Sequence, residues 1–247
     1  MKVTIITPVR NRRDSILRTI KSLREQSYQN YEHIIIDGNS NDGTKEQIIN
    51  QCDSKTIFIS ESDSGMYAAI NKGLRLASGS VIGILNSDDV YAEKCALEKI
   101  MAHFQNYHVD ITYGDIEYWS KNFGKKVRLY RGKNYSEHYL KFGLIPPHPT
   151  FYISKKVLDE VGLYNESFRI AGDFDLISRA LKGQTYKASY IPRVLVRMEI
   201  GGLSNSSLKN RIATNIEILR SCRNNKIKTN LLLLCLRYPL KIMQYLN

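Results

Sequence analysis

Short apolar runs alternate along this chain with stretches in which apolar residues recur every three to four positions. VTIITPV (3–9) is an unbroken run of the buried-strand kind, and Ile16, Ile20 and Leu23 follow at helical spacing. YEHIIIDG (31–38) and TIFIS (56–60) are again strand-like, GMYAAINKGLRLAS (65–78) is helical, and SVIGILN (80–86) is a further strand. Apolar strands separated by helices predict βαβ units, and hence an α/β fold with a mostly parallel central sheet flanked by helices. DITYGDIEYWSKNFGKKVRLYRG (110–132) instead mixes aromatic, apolar and polar residues as hairpin strands do. Ligands of open parallel sheets bind beyond the carboxyl ends of the strands, so the polar residues after each strand are where chemistry is expected.

Composition narrows this picture only in part. With 247 residues, 43% of them hydrophobic, the chain can build one sizeable core. A net charge of +12 calls for an anionic partner: a nucleotide, a nucleic acid or an acidic membrane surface. Cys52, Cys95, Cys222 and Cys235 show no metal-ligand or CxxC spacing and read as reduced thiols of a cytosolic protein. MKVTIITPVRN runs straight into a strand, without the pattern of a secretory leader.

The strand ends carry the candidate chemistry. In TPVRNRRD, Asn11 and Asp14 are placed to cap the next helix, and Arg10, Arg12 and Arg13 are either a solvated helix entrance or cations facing a ligand. In IIDGNSNDGT, Asp37 can accept hydrogen bonds from a base or ribose, while Gly38 and Gly43 permit sharp turns; the same residues also suit a plain loop capping the helix after Thr44. ILNSDD ends an apolar strand in adjacent carboxylates, which is either a solvated turn or a place where a cation is held.

TPVRNR, IIDGNSNDGT, SGMYAAINKGLRLASG, ILNSDD and AGDFDLISRAL stand in the order and spacing of the family 2 glycosyltransferases of the GT-A fold, and from about residue 2 to about residue 200 the chain resembles that family. It is most similar to bacterial members that build O-antigen, capsule or exopolysaccharide units, of the colanic-acid type. The resemblance implies a Rossmann-like nucleotide-diphospho-sugar transferase domain over 1–204, with a helical extension over 205–247. It implies inverting transfer from a nucleotide-diphosphate sugar to a glycan or polyprenyl-diphosphate-linked acceptor, assisted by Mn²⁺ or Mg²⁺.

Carried over residue by residue, Asp88 matches the last aspartate of a DxD-type motif and is the expected metal ligand, with Asp89 beside it. Asn86 stands where that motif has its first aspartate, so it offers an amide oxygen without charge. Asp173 matches the aspartate of an ED-type motif and is the expected general base, although Gly172 replaces the preceding glutamate. Asp175 points to another side of the same helix and is expected to make a structural contact. Thr7, Pro8, Arg10, Asp37, Asp63, Lys72, Asn86, Ser87 and Asp88 are the expected donor-binding residues. Many relatives carry Arg before the Asn of NKG, where this chain has Ile70, which leaves Arg10 or Lys72 to supply a cation. His148 and Trp119 are candidates for the acceptor side, Tyr67 for a donor role or for packing, and Tyr130 for stacking on a sugar ring or completing a small sheet. IGGLSN (200–205) suits a loop that closes over the diphosphate.

Beyond residue 205, Lys209, Arg211, Arg220, Arg223, Lys226, Lys228, Arg237 and Lys241 mix with apolar residues, and only Glu217 opposes them. LLLLCL is far shorter than the roughly 20 residues of a membrane span. A basic amphipathic helix on the anionic inner face of the cell membrane is expected, making the enzyme cytoplasmic and peripheral; packing on the catalytic domain is the alternative. A nucleic-acid-binding module lacks its recognition motifs here, and strand-end carboxylates would repel phosphates, so no nucleic acid is expected. A nucleotidyltransferase or pyrophosphorylase would need a glycine-rich phosphate loop after the first strand, and TPVRNRRD has no glycine.

Overall fold

The computed structural model describes residues 1–132, 135–201 and 208–237. In chain order the elements are β1 (Val3–Val9), α1 (Ile16–Arg24), β2 (Tyr31–Asp37), α2 (Thr44–Ile49), β3 (Thr56–Ser60), α3 (Met66–Leu76), β4 (Val81–Ile84), β5 (Val90–Tyr91), α4 (Ala96–Tyr107), β6 (Ile111–Trp119), β7 (Lys126–Tyr130), β8 (Tyr152–Ser154), α5 (Lys155–Val161), α6 (Gly172–Leu181), β9 (Ala188–Glu199), α7 (Leu208–Asn224) and α8 (Leu231–Cys235).

Among the described residues the strands form one sheet in the order β3-β2-β1-β4-β8-β6-β9-β5, with β7 added to β6 as a hairpin. The first four strands in that order are parallel, as the apolar runs predict, and every residue of β1 and β2 is buried. Beyond β4 the sheet is mixed: β8 is antiparallel to β4 and β6, whereas β6 and β9 are parallel. Pairing of Ile6 with Ile84 and of Thr7 with Ile35 brings the carboxyl ends of β1, β2 and β4 to one edge.

Two close approaches set the layers. A methyl group at Gly73 would lie 2.6 Å from Ile6 Cγ2, so α3 of the NKG stretch reaches β1 only because residue 73 has no side chain. Asn71 is buried and exchanges hydrogen bonds with the backbone of Tyr164, donating to its carbonyl (2.8 Å) and accepting from its amide (3.0 Å). The Asn of NKG is therefore structural. Lys72 donates to the Ser62 carbonyl (3.1 Å) and pairs with Glu61 (2.9 Å).

The C-terminal stretch packs on the domain. Ile218 and Cys222 of α7 and Leu234 of α8 share a small core with Leu140, Ala171 and Phe174. The expected boundary at 204/205, residues 202–205 of the loop IGGLSN and the tail from 238 onward, with Lys241, lie outside the described residues.

At the opposite end of the sheet from the site, Glu32 ties β1, β2 and the turn before β4 together. Its carboxylate accepts hydrogen bonds from Lys2 (2.6 Å), Thr4, the Ser78 hydroxyl (2.8 Å) and the Ser78 and Gly79 amides (2.7 and 3.1 Å). Burial pushes this carboxyl up, but the donors from Lys2, Thr4 and Ser78 outweigh it and hold it at about 2 against an ordinary 4.5. A depressed carboxyl stabilises the fold fully above its ordinary value, and that contribution is lost as pH falls through the folded-state value. Glu32→Gln should cost about 2 kcal/mol at neutral pH. Thermal denaturation of the two proteins should converge between pH 4.5 and 2; a constant gap down to pH 2 would contradict the assignment.

Candidate active site

A cleft of about 540 Å³ opens at the carboxyl edge of β1 and β4, walled by the β6–β7 hairpin, residues 143–149 and the start of α6. One wall is built by two loops knitted together. Asn11 takes a left-handed backbone (φ 52°), donates its amide to Ser40 Oγ (2.8 Å) and accepts from the Asn41 amide on its side chain (3.0 Å). The Arg12 amide donates to Thr44 Oγ1 (2.8 Å) and the Arg13 amide to Asp42 Oδ2 (3.2 Å). Arg10 and Arg12 are left exposed on the cleft wall. A side chain at Gly38 would meet Asp63 Oδ2 at 2.7 Å and Arg10 Cδ at 3.4 Å, so bare backbone there lets both residues line the cleft. Asp63 in turn accepts from the Gly65 amide at the start of α3 (2.9 Å).

The turn Asn86–Asp89 separates its two aspartates. The Asp89 amide bonds back to the Asn86 carbonyl (3.0 Å), and the Asn86 side-chain amide donates to Asp89 Oδ2 (2.8 Å). From α1 and its cap, Ser15 Oγ donates to the Ser87 carbonyl and Thr19 Oγ1 to the Asp89 carbonyl, both at 2.8 Å. Asp89 is thus buried, and burial together with the Asp88 charge pushes its carboxyl well up. Asp88 faces the cleft with 38% of its side chain exposed and Arg12 Nε 3.9 Å away. The oxygens of Asp88 and of the Asn86 amide suit a hard divalent cation that completes its shell with phosphate oxygens and water, whereas Asp89, expected beside them as a ligand, is buried behind the turn and bonded to Asn86. Among the described residues no group of three or more His, Cys, Asp or Glu forms a metal cage.

Asp173 sits in the first turn of α6 and lines the same cleft. Tyr67 holds that turn: its hydroxyl donates to the Ile170 carbonyl (2.7 Å) and accepts from the Asp173 amide (3.3 Å). A side chain at residue 172 would lie 2.7 Å from the Tyr67 ring, so Gly172 is what allows the ring this close. Tyr67 stacks on Tyr164 (5.6 Å between centroids), whose hydroxyl shares a hydrogen bond with His148 Nε2 (2.8 Å). Burial lowers the affinity of His148 for a proton, and the charge of Asp173 opposes that.

Pro8, Arg10, Asp63, Asn86, Ser87, Asp88, Asp89, His148 and Asp173 are therefore gathered around one cleft. Four expected residues do not line it. Thr7 is fully buried and its hydroxyl is paired with His33 (2.9 Å), which burial holds neutral with a value of about 3. The Asp37 carboxylate is occupied by the Ser40 amide and hydroxyl and by Ser60 Oγ (2.7 Å). Lys72 is bound to Glu61 and Ser62, as above. Trp119 donates to Glu117 Oε2 (3.1 Å) beneath the Arg197 guanidinium, and it is Ile116 and Tyr118 that line the cleft. Their partners on β7, Tyr130 and Arg128, line it too, as does Arg169 before α6. Alternation along β6 carries the signal for Tyr118, once one residue of that face is known. Asp175 makes the structural contact expected of it, pairing with Arg179 (3.1 Å) and accepting from Ser221 and Asn225.

Residues 4–170 match the sequence model of Glycosyl transferase family 2. A PGL/p-HBAD biosynthesis glycosyltransferase of Mycobacterium bovis is 28% identical over 211 residues, 82% of this chain and 79% of that protein. Glycosyltransferase AglE of Haloferax volcanii is 26% identical over 187 residues, 72% of this chain and 60% of that one. Residues 1–349 of TarS from S. aureus, solved in complex with UDP-GlcNAc, superpose with a TM-score of 0.71 at 20% identity, covering 91% of this chain and 67% of that one. The mannosyltransferase PcManGT of Pyrobaculum calidifontis, solved with GDP-Man and Mn²⁺, gives 0.64 at 18% identity, covering 92% and 65%. At these identities the solved structures establish a shared GT-A fold; the chain spans 43% of the longer TarS structure.

Gly172→Ala tests the Tyr67 contact. Alanine in a helix is favoured over glycine by about 1 kcal/mol, but here the added methyl meets a ring that stacking and hydrogen bonding prevent from moving. The variant should lose roughly 1–3 kcal/mol of stability in denaturant titration, and a gain would show that the ring yields.

Proposed function

The chain belongs to Glycosyl transferase family 2 and is a glycosyltransferase, and from that premise we propose that the cleft binds a nucleotide-diphosphate sugar and passes the sugar, with inversion, to an acceptor hydroxyl. The observation that carries this reading is that Asp88, from the turn after β4, and Asp173, from the first turn of α6, line one cleft. Asp63 and Arg10 are the residues proposed to hold the nucleoside, and Arg12, beside Asp88, the diphosphate. Asp173 takes the acceptor proton as the hydroxyl oxygen forms its bond to the anomeric carbon, and the bond from that carbon to the β-phosphate oxygen breaks with its electrons leaving on the diphosphate. His148, whose burial lowers its affinity for a proton, forms the acceptor wall with Tyr118, Tyr130 and Arg128. Asp88, with the Asn86 oxygen, would hold Mn²⁺ or Mg²⁺, which when bound neutralises charge on the leaving diphosphate. The relatives' UDP-GlcNAc and GDP-Man complexes support a nucleotide-sugar donor.

The acceptor is proposed to be a lipid-linked glycan of surface polysaccharide synthesis, reached by peripheral contact with the anionic inner membrane face. What supports this is the outer surface of α7 and α8. Ile212 (61% exposed), Ile216, Leu231, Leu232 (74%) and Leu236 are exposed there beside exposed Lys209, Arg211, Arg223 and Lys228. Among the described residues no helix is long and apolar enough to cross a membrane.

Thermal shifts with UDP-, GDP- and dTDP-sugars, each with Mn²⁺, Mg²⁺ or EDTA, should show stabilisation by one nucleotide class that EDTA removes. Turnover should release a nucleoside diphosphate. Asp173→Asn should lower transfer by about 10²-fold or more with donor binding intact, whereas Asp88→Ala should weaken cation-dependent donor binding; normal turnover in Asp173→Asn would sink the base assignment. Anionic vesicles should sediment the wild type, and Ile212→Glu/Leu232→Glu should stay in the supernatant with transfer to a soluble acceptor unchanged.

A further inference from the structure

Glu217 and Ser221 on α7, with Asn225 just beyond it, recur at four-residue spacing and form a polar stripe that faces α6 and the segment leading into it. Glu217 Oε1 accepts from the Arg169 amide (3.0 Å), and Oε2 accepts from the Ile170 and Ala171 amides (2.8 Å each). One helical turn on, Arg220 donates to the Ser167 carbonyl (2.8 Å) and hydroxyl (3.1 Å) and lies over the Phe168 ring at 4.1 Å. Ser221 Oγ and Asn225 Nδ2 donate to Asp175 Oδ1 at 2.8 and 3.0 Å. Residues 167–171 and the first turn of α6 are thus gripped by α7 from outside, while Tyr67 grips them from within through Ile170 and Asp173.

We propose that Glu217 is a positioning residue for the transfer reaction: by collecting three consecutive amides it fixes the peptide from which Asp173 projects, and so sets the reach of the base toward the acceptor hydroxyl. This rests on the reading of Asp173 as that base. A carboxylate accepting several N–H groups forms strong charge-assisted bonds, and without it three amides lose their acceptor two to four residues before Asp173. A displacement of about 1 Å at a reacting group costs on the order of 10² in rate. Arg10, Asp63 and Asp88, on the loops after β1, β3 and β4, make none of these contacts, so donor binding should be unaffected.

The test uses the full chain with whichever nucleotide sugar stabilises it, and compares Glu217→Ala, Glu217→Gln and Asp173→Asn. Glu217→Ala should lower kcat by roughly 10²-fold with donor Kd and donor KM within about twofold of wild type. Glu217→Gln, which keeps one acceptor oxygen, should fall between the two. Hydrogen exchange should quicken at the amides of residues 169–173 in Glu217→Ala and stay slow in β1 and β4. Wild-type kcat in both Glu217 variants, a loss of donor affinity in step with turnover, or unchanged exchange at 169–173 would each overturn the proposal. If the alanine variant does not fold, the glutamine variant decides: reduced kcat supports the role and wild-type kcat overturns it. Failure of the underlying reading looks different, because Asp173→Asn would then turn over normally; failure of the Glu217 role alone leaves Asp173→Asn inactive and Glu217→Ala active.

Discussion

The Tyr67 hydroxyl gives its proton to the Ile170 carbonyl and takes the Asp173 amide, while the ring beneath it is stacked on Tyr164 and closed in by Gly172. That ring has nowhere else to go. It belongs to α3, whose close seat on β1 depends on Gly73, so the contact joins the parallel half of the sheet to the start of α6. The contact thus ties α6, which carries Asp173, to the parallel sheet whose β4 leads into the turn of Asp88. Loss of the Gly172 notch would move α6 as a body rather than one side chain, because α6 is packed along its length and nearly all its residues are buried.

The same residue type does different work at adjacent positions. Asp88 and Asp89 share a turn, yet the Asn86 amide and the hydroxyls of Ser15 and Thr19 fix the backbone so that one carboxylate is buried and the other faces the cleft. Asn86, read from the sequence as a weakened copy of an acidic position, therefore also has a mechanical role. Its amide satisfies a buried oxygen that a carboxylate in its place would repel.

The parallel strands and α3 were legible in the chain because long apolar runs and helical periodicity are local signals, and the cleft positions of Asp88 and Asp173 were legible because one closely follows an apolar strand and the other opens a helical periodicity. The misses have a common cause in contacts that local sequence does not encode. Which face Trp119 takes depends on how β6 registers with β7 and β9, and the β7 register shifts between Tyr118 and Trp119. Lys72 is removed from the cleft by a partner eleven residues before it, Glu61, and Asp37 by Ser60 on the next strand. The excess of basic residues drew attention to the charge of the C-terminal stretch, whereas its single acid, Glu217, is the residue that meets the site, across 46 to 48 residues of chain.

Gly143 turns with φ 68° at the rim of the cleft, and a side chain there would be stopped by Ile218, Leu234 and Arg237 within 3.0 to 3.2 Å. Arg237 also reaches the Gly143 carbonyl (3.4 Å), so this side of the cleft is backed directly by α7 and α8. Inheritance is constrained as a result. A side chain larger than hydrogen at residue 143 needs room made at Ile218, Leu234 or Arg237, so the rim of the cleft and the C-terminal helices can change only together.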